Sequence, residues 1–390
     1  MNTKEKDLKY IMHTYGRYDV ALKSGKGVTA FDEDGKRYID VSSGIGVNSL
    51  GYCDDGWVKA ITEQASAIQH MSNYFYSKQA SDLAEKLCTL TGLAKVCFGN
   101  SGAEANECAI KIARKYSFDK YGAERNEIIT LKNSFHGRTV TTLAATGQEV
   151  FHNFFFPFTK GFKYAEPNDL DDVKNNIDEK TCAIMLEVVQ GEGGVNILDK
   201  DFVQSVAKIC ADNDILLIID EVQTGVGRTG KLFAHEHYDV KPDLMTVAKG
   251  LGGGLPIGVC LCGEKLKDVM SPSTHGTTFG ANPVVCAGAN YVLDTIANEE
   301  FLNKVEEKGA FLEKKLLKLE GVKSVHRLGL MVGIEIDGDA HDIAAKCIQN
   351  GLLIITAKDL LRMLPPLIIT KDELLEAVNI LEKTLKENEQ

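Results

Sequence analysis

The chain reads as an α/β protein with a mostly parallel sheet in a large domain and a smaller α/β domain after it. Three observations predict this. Short apolar runs recur at 95–98, 128–131, 182–188, 215–219, 244–248 and 258–261; helix-length segments such as 103–121 and 202–213 mostly separate them; and the texture changes near residue 290. Strands that alternate with helices bury both faces of a parallel sheet, because each crossover helix lies back against it. At 390 residues the chain also exceeds the usual size of one hydrophobic core.

The elements follow in order. Residues 1–50 carry the turns Asp32-Glu-Asp-Gly35 and Ser42-Ser-Gly-Ile-Gly46, and are expected to pack with the smaller domain rather than start the main sheet. Residues 51–290 hold the six apolar runs and form the large domain. Residues 291–390 form the small domain: a charged helix over 292–319, short strands at 322–327 and 330–336, a helix, then a final strand-and-helix pair. No internal repeat, low-complexity tract or flexible linker interrupts this order.

Composition narrows the function classes. A hydrophobic fraction of 44% with 25% charged residues belongs to an ordinary globular protein. The net charge of −11 argues against a surface built for nucleic-acid phosphates or anionic lipid. The polar first ten residues and the lack of any spanning-length apolar run (about 20 residues) predict no membrane association. Ten cysteines lie between Cys53 and Cys347 without a CxxC pair, and Cys260 and Cys262 alternate along an apolar run. Reduced core thiols and a cytoplasmic location are the expectation.

The chemistry starts at Lys249, which follows the run ending at Ala248 and precedes Gly250-Leu-Gly-Gly-Gly254. Asp220 ends another run, 215–219, and would project its carboxylate from the carboxyl edge of the same sheet, where open α/β sheets bind ligands. An amine and a carboxylate at neighbouring strand ends suit pyridoxal phosphate: the lysine takes the aldehyde, and the aspartate keeps the pyridine nitrogen protonated. Gly99-Asn-Ser101-Gly102-Ala103 leaves a strand and opens a helix, so Ser101 and the amides of Gly102 and Ala103 are placed to meet a phosphate. The same residues also fit a plain helix cap closed by Glu104.

Other loops add candidates, each with an ordinary alternative. Phe135 offers a flat ring to stack on a pyridine, and Arg138 a bidentate clamp for a carboxylate, whereas His136 is left without an assigned role. Glu192, on a glycine-rich loop, either pairs with an arginine or is solvated. Gln223 reaches the ring's phenolic oxygen or caps its strand. Arg362 precedes Pro365-Pro366, which stiffen its segment. Thr277 and Thr278 offer hydroxyls to a phosphate or to a turn. Three patterns are set aside. Gly225-Val-Gly227-Arg-Thr-Gly230 resembles a dinucleotide fingerprint but sits too far from its strand end, and Leu232 cannot supply the hydroxyl that a P-loop needs. His235 and His237 are alternate residues of a loop with no further ligand nearby, so no metal site is expected.

Taken together, five ordered segments resemble the class III pyridoxal-phosphate-dependent aminotransferases of fold type I, and among them the acetylornithine aminotransferases. These are Asn-Ser-Gly-Ala-Glu-Ala at 100–105, Phe-His-Gly-Arg at 135–138, Gln-Gly-Glu-Gly-Gly at 190–194, Asp-Glu-Val-Gln-Thr-Gly at 220–225 and Ala-Lys-Gly at 248–250. The resemblance implies Lys249 as Schiff-base residue, Asp220 as partner of the ring nitrogen, Gln223 at the ring oxygen, Phe135 as the stacking ring, and Ser101, Gly102 and Ala103 at the phosphate. It implies a homodimer in which Thr278 reaches the cofactor phosphate of the neighbouring subunit. It further implies transfer of the δ-amino group of N2-acetylornithine to 2-oxoglutarate. Arg138 would then hold the distal carboxylate, and Arg362 the α-carboxylate of glutamate, masked by Glu192 when the other substrate is bound. Ornithine, 4-aminobutyrate and N-succinyl-diaminopimelate are alternative donors. One departure is Tyr52-Cys53-Asp54-Asp55, where relatives commonly read His-Cys-His-Pro.

Overall fold

The fold is described from a computed structural model covering residues 1–388. Its main sheet has seven strands in the spatial order Lys95–Gly99, Gly258–Cys262, Leu244–Val247, Leu216–Asp220, Thr181–Leu186, Glu127–Leu131 and Phe162–Ala165. All run parallel except Gly258–Cys262, which is antiparallel to both neighbours. That reversal shapes the site. A parallel successor needs a crossover of a dozen or more residues, but an antiparallel one can begin where its predecessor ended. Residues 248–257 therefore stay at the carboxyl edge, and Lys249 stays with them.

Side-chain parity fixes what each strand presents. Leu217 and Ile219 point to one face and pack with Phe202, Val203 and Val206 of the helix Lys200–Asp212. Leu216 and Ile218 point to the other, against Ala109, Ile112 and Ala113 of the helix Gly102–Tyr121. All four strand residues are at most 2% exposed, and removing each such side chain from water contributes about 1.5–3 kcal/mol. A strand repeats every two residues. Asp220 thus continues the Leu216–Ile218 row and leaves the sheet toward the helix Gly102–Tyr121.

Two smaller sheets frame the main one. Leu22–Lys26, Thr29–Asp32 and Arg37–Asp40 form antiparallel neighbours, and Leu352–Leu353 from near the other end of the chain adds in parallel beside Arg37–Asp40. Val322–Leu328, Met331–Ile336, Leu360–Met363 and Ile355–Ala357 form an antiparallel sheet in that order, packed with the helices Glu299–Leu316 and Ala340–Gln349, while Lys371–Asn388 packs on those two helices and on Arg37–Asp40 and Leu352–Leu353.

Some expected elements differ. The charged helix over 292–319 is two helices, Pro283–Ile296 and Glu299–Leu316, because the Asn298 side chain accepts from the Phe301 amide and starts a new N-terminus. The final strand is a set of three short ones. Phe162–Ala165 went unread as a strand, being a half-buried edge strand that carries Lys163. At the departure noted above, Asp54 caps the helix Asp55–Ala67 by accepting from the Trp57 amide, and Trp57 Nε1 donates to the Gly252 carbonyl at 3.2 Å. That segment buttresses the loop holding Lys249. No helix among the described residues is long and apolar enough to cross a membrane.

Candidate active site

A cavity of about 460 Å³ opens at the carboxyl edge of the main sheet. Ser101, Gly102, Ala103, Phe135, Arg138, Asp220, Gln223 and Lys249 all line it, so eight of the twelve residues singled out from the sequence converge there. Lys249 enters from a left-handed backbone, φ 36°, which a non-glycine residue adopts only at a cost of about 1–3 kcal/mol and which is common where a side chain is aimed. Burial pushes its amine below the ordinary lysine pKa and Arg362 adds to this, against the opposing pull of Glu192, Glu187 and Asp220. No hydrogen bond engages the Lys249 amine among the described residues.

Asp220 is 3% exposed and held from three sides. The Val222 amide donates to Oδ1 at 2.9 Å; Asn106 Nδ2 and His136 Nδ1 each lie 2.8 Å from Oδ2. A carboxylate only accepts, so Nδ1 carries the histidine proton. His136, left open from the sequence, therefore orients Asp220, and its Nε2 is a buried atom with no partner among the described residues. Asn106 follows from the parity argument: one turn into the helix, it meets the row that Asp220 continues, and it also donates to the His136 carbonyl at 2.8 Å.

At the helix start both readings of Ser101 hold at once. Its Oγ accepts from the Glu104 amide at 3.2 Å as an N-cap, while Glu104 Oε2 accepts from the Asn100 amide at 2.5 Å and from Asn100 Nδ2 at 2.8 Å. Accepting leaves the Ser101 hydroxyl proton available. Gly102 must be glycine here, since a Cβ would lie 2.6 Å from Val222 Cγ1. A side chain at Gly137 would meet Thr142 Oγ1 at 2.5 Å and Ala103 Cβ at 2.8 Å, so the loop carrying Phe135 and Arg138 packs directly on the helix start.

Glu192 and Arg362 lie beyond this cavity, on the far side of Gln223. Arg362 is 2% exposed, and its two terminal nitrogens meet Glu192 Oε1 and Oε2 at 2.8 and 3.2 Å. Gln223 joins the pair, accepting from Arg362 at 3.2 Å and donating to Glu192 at 3.3 Å. Burial works against the Glu192 charge, yet Arg362, helped by Lys249 and Gln223, holds its carboxyl below the usual range. Of the paired readings, Glu192 meets an arginine, and the Gln223 amide closes that pair rather than capping a strand. Gly191 makes room, because a Cβ there would sit 2.1 Å from Gln223 Oε1.

Thr277 and Thr278 are elsewhere, on a second cavity of about 880 Å³ with His70, Asn73 and Phe98. Thr277 Oγ1 accepts from Asn100 Nδ2 at 3.0 Å and from the Gly280 amide at 3.2 Å, and Thr278 is exposed. Within one chain neither meets Lys249. His235 and His237 bind separately, to Glu221 Oε1 and the Thr229 carbonyl, each at 3.0 Å.

Besides Asn100, whose amide groups donate to Glu104 as described above, sequence reasoning missed two polar residues of the cavity. Asn106 is one. The other is Glu187, directly after the strand Thr181–Leu186, whose Oε1 accepts from the Phe135 amide at 2.9 Å. Burial, with Asp220 adding and His136 opposing, pushes its carboxyl up to about 7. Its signal was available: it occupies the same strand-end position as Asp220.

An amine, a braced carboxylate and a helix N-terminus around one cavity define a pyridoxal-phosphate site on a parallel-rich sheet, and the sequence profile of the class-III aminotransferases matches residues 10–385. The chain belongs to that family and is a pyridoxal-phosphate-dependent aminotransferase. It is 52% identical over 387 residues to the acetylornithine aminotransferase of Haemophilus ducreyi, covering 98% of each chain. It is 48% identical over 393 residues to that of Caldanaerobacter subterraneus, covering 99% of each. Among solved structures, the ornithine aminotransferase of Toxoplasma gondii matches with a TM-score of 0.94 at 31% identity, over 100% of this chain and 96% of that one. The acetylornithine aminotransferase of Elizabethkingia anophelis matches at 0.88 and 35%, over 98% of each.

The residues present fit the cofactor. Among the described residues the amine has no hydrogen-bond partner, and the helix start is kept open by Gly102. Phe135 and Val222 offer apolar surface to a ring, and Asp220 is braced by donors that leave it facing the cavity.

Proposed function

We propose that this enzyme moves the δ-amino group of N2-acetyl-L-ornithine to 2-oxoglutarate, giving N-acetyl-L-glutamate 5-semialdehyde and L-glutamate, a step of arginine biosynthesis. The observation that carries it is the unequal treatment of two arginines: Arg138 is open at the cavity, and Arg362 is closed by Glu192. Sequence relatives named for acetylornithine support the choice of donor.

Pyridoxal phosphate supplies an aldehyde that bonds the amine and a protonated ring that takes up the electron pair left at the substrate carbon. Lys249 would hold the cofactor covalently, and its amine, when free, would serve as the base that lifts the proton from the amine-bearing carbon and returns one. Its depressed pKa favours the neutral amine this requires. Asp220 holds the proton on the ring nitrogen, and His136 and Asn106 hold Asp220. Ser101, Gly102 and Ala103 take the phosphate, Phe135 covers the ring, and Gln223 serves the ring oxygen.

Arg138 holds the carboxylate far from the reacting amine: the α-carboxylate of acetylornithine, or the side-chain carboxylate of glutamate. Arg362 binds glutamate's α-carboxylate once Glu192 releases it. The amine-bearing δ-carbon of acetylornithine carries only hydrogens and its chain, so no carboxylate competes with Glu192 and the pair stays closed for that substrate.

The active unit we infer is a homodimer. Tyr74, Phe75, Tyr76 and Phe279 are 94%, 70%, 103% and 61% exposed in one chain, beside the cavity lined by Thr277 and Thr278. A second copy covering these rings would bring its Thr278 toward the phosphate end of the first site. Ten free cysteines fit a reducing cytoplasm.

The test is the visible absorbance of the lysine-bound cofactor. Loss of the band with N-acetylornithine and its return with 2-oxoglutarate support the reading. A band that yields only to ornithine, 4-aminobutyrate or N-succinyl-diaminopimelate would replace the donor.

A further inference from the structure

Among the described residues Arg138 makes no ion pair and no hydrogen bond, although it is exposed at the cavity. What it touches is aromatic. The guanidinium carbon lies 3.8 Å from the centre of the Phe151 ring and 5.5 Å from that of Phe135. The two rings meet edge to face, 6.1 Å apart at 79°. Phe151 closes the turn Glu149–Phe151, so the ring under Arg138 is carried by a different segment from the loop that carries Arg138 itself.

The chemistry of that contact matters. A ring face attracts a guanidinium through its quadrupole and engages none of its N–H donors. A carboxylate in the same place would also fix the side chain but would consume the donors that a substrate carboxylate needs. An exposed arginine with nothing beneath it would spread over many rotamers, which a bound substrate would have to freeze. The Phe151 face restricts the guanidinium and leaves its donors facing outward.

We propose that Phe151 is a positioning residue for Arg138, an aromatic floor that sets how far from Lys249 the distal carboxylate is held. This rests on the assignment of Arg138 to that carboxylate. It makes residues 149–151 determinants of substrate length, together with the loop Phe135–Arg138.

The test uses holoenzyme carrying Phe151→Leu, Phe151→Tyr, Arg138→Ala, or Phe151→Leu with Arg138→Ala. The probes are N-acetylornithine, 2-oxoglutarate and n-butylamine, an amine with no carboxylate. Phe151→Leu should raise KM for both carboxylate substrates about tenfold, the scale of a partly desolvated cation–aromatic contact, with kcat within about twofold. Loss of the visible band with n-butylamine should keep its rate, Phe151→Tyr should restore KM, and Phe151→Leu should add nothing to Arg138→Ala. The proposal is overturned if Phe151→Leu leaves KM unchanged while Arg138→Ala raises it, or if Phe151→Leu slows n-butylamine equally. If Arg138→Ala itself changes neither KM, the assignment of Arg138 fails and the proposal falls with it.

Discussion

Arg138 and Arg362 carry the same charge at two ends of one site and are restrained by opposite means. Arg362 is buried, bidentate with Glu192 and shared with Gln223; Arg138 is exposed and lies on an aromatic face with its donors free. A buried guanidinium needs a partner, because an unpaired charge away from water costs several kcal/mol. A partner that can swing aside makes such a residue conditional. A guanidinium on a ring is held without being neutralised, so it stays ready for any carboxylate that arrives. One enzyme that accepts two unlike substrates in turn needs both kinds.

The comparison has content only if both ends serve one amine. Lys249→Ala should therefore silence both half-reactions, by about 10³-fold or more, measured by single-turnover transfer with each substrate; survival of one half would split the site in two. Next in size, Glu192→Gln should remove the mask. Arg362 then binds α-carboxylates freely, and preference for glutamate over N-acetylornithine should shift by about tenfold in kcat/KM. No shift would mean that Glu192 only neutralises Arg362.

The smallest effect lies at Glu187 and concerns stability. Its folded pKa, about 7, is above the ordinary carboxyl value of 4.5. Between those values the native chain binds the extra proton, so this group's contribution to stability is fully present below pH 4.5 and is lost as pH rises through 7. Glu187→Gln should flatten the fall in urea midpoint across that window in the cofactor-free protein. An unchanged slope would show that the carboxyl titrates normally.

Much of this site was legible because chemistry at a parallel sheet's carboxyl edge falls at strand ends, and strand ends are marked in sequence. Lys249, Asp220 and Ser101 could be placed from their runs alone. The direction of Gly258–Cys262 could not, since an apolar run carries no polarity. The part played by His136 and the presence of Asn106 were unreadable for another reason: each meets Asp220 from a segment distant in sequence, as Phe151 meets Arg138, and no local pattern announces such a pairing. Glu187 was readable by the rule applied to Asp220 and was passed over. Thr277 and Thr278 line a separate cavity within one chain, so their expected place at a neighbouring subunit's phosphate depends on a second copy, which no local pattern describes.

The central claim is that Arg362 serves one substrate and is masked for the other. Single-turnover rates of both half-reactions in Arg362→Ala, with the lysine-bound cofactor band intact as proof of folding, test it most directly. The account predicts a loss of about 10²-fold or more with glutamate and less than about threefold with N-acetylornithine; equal losses in both would contradict it.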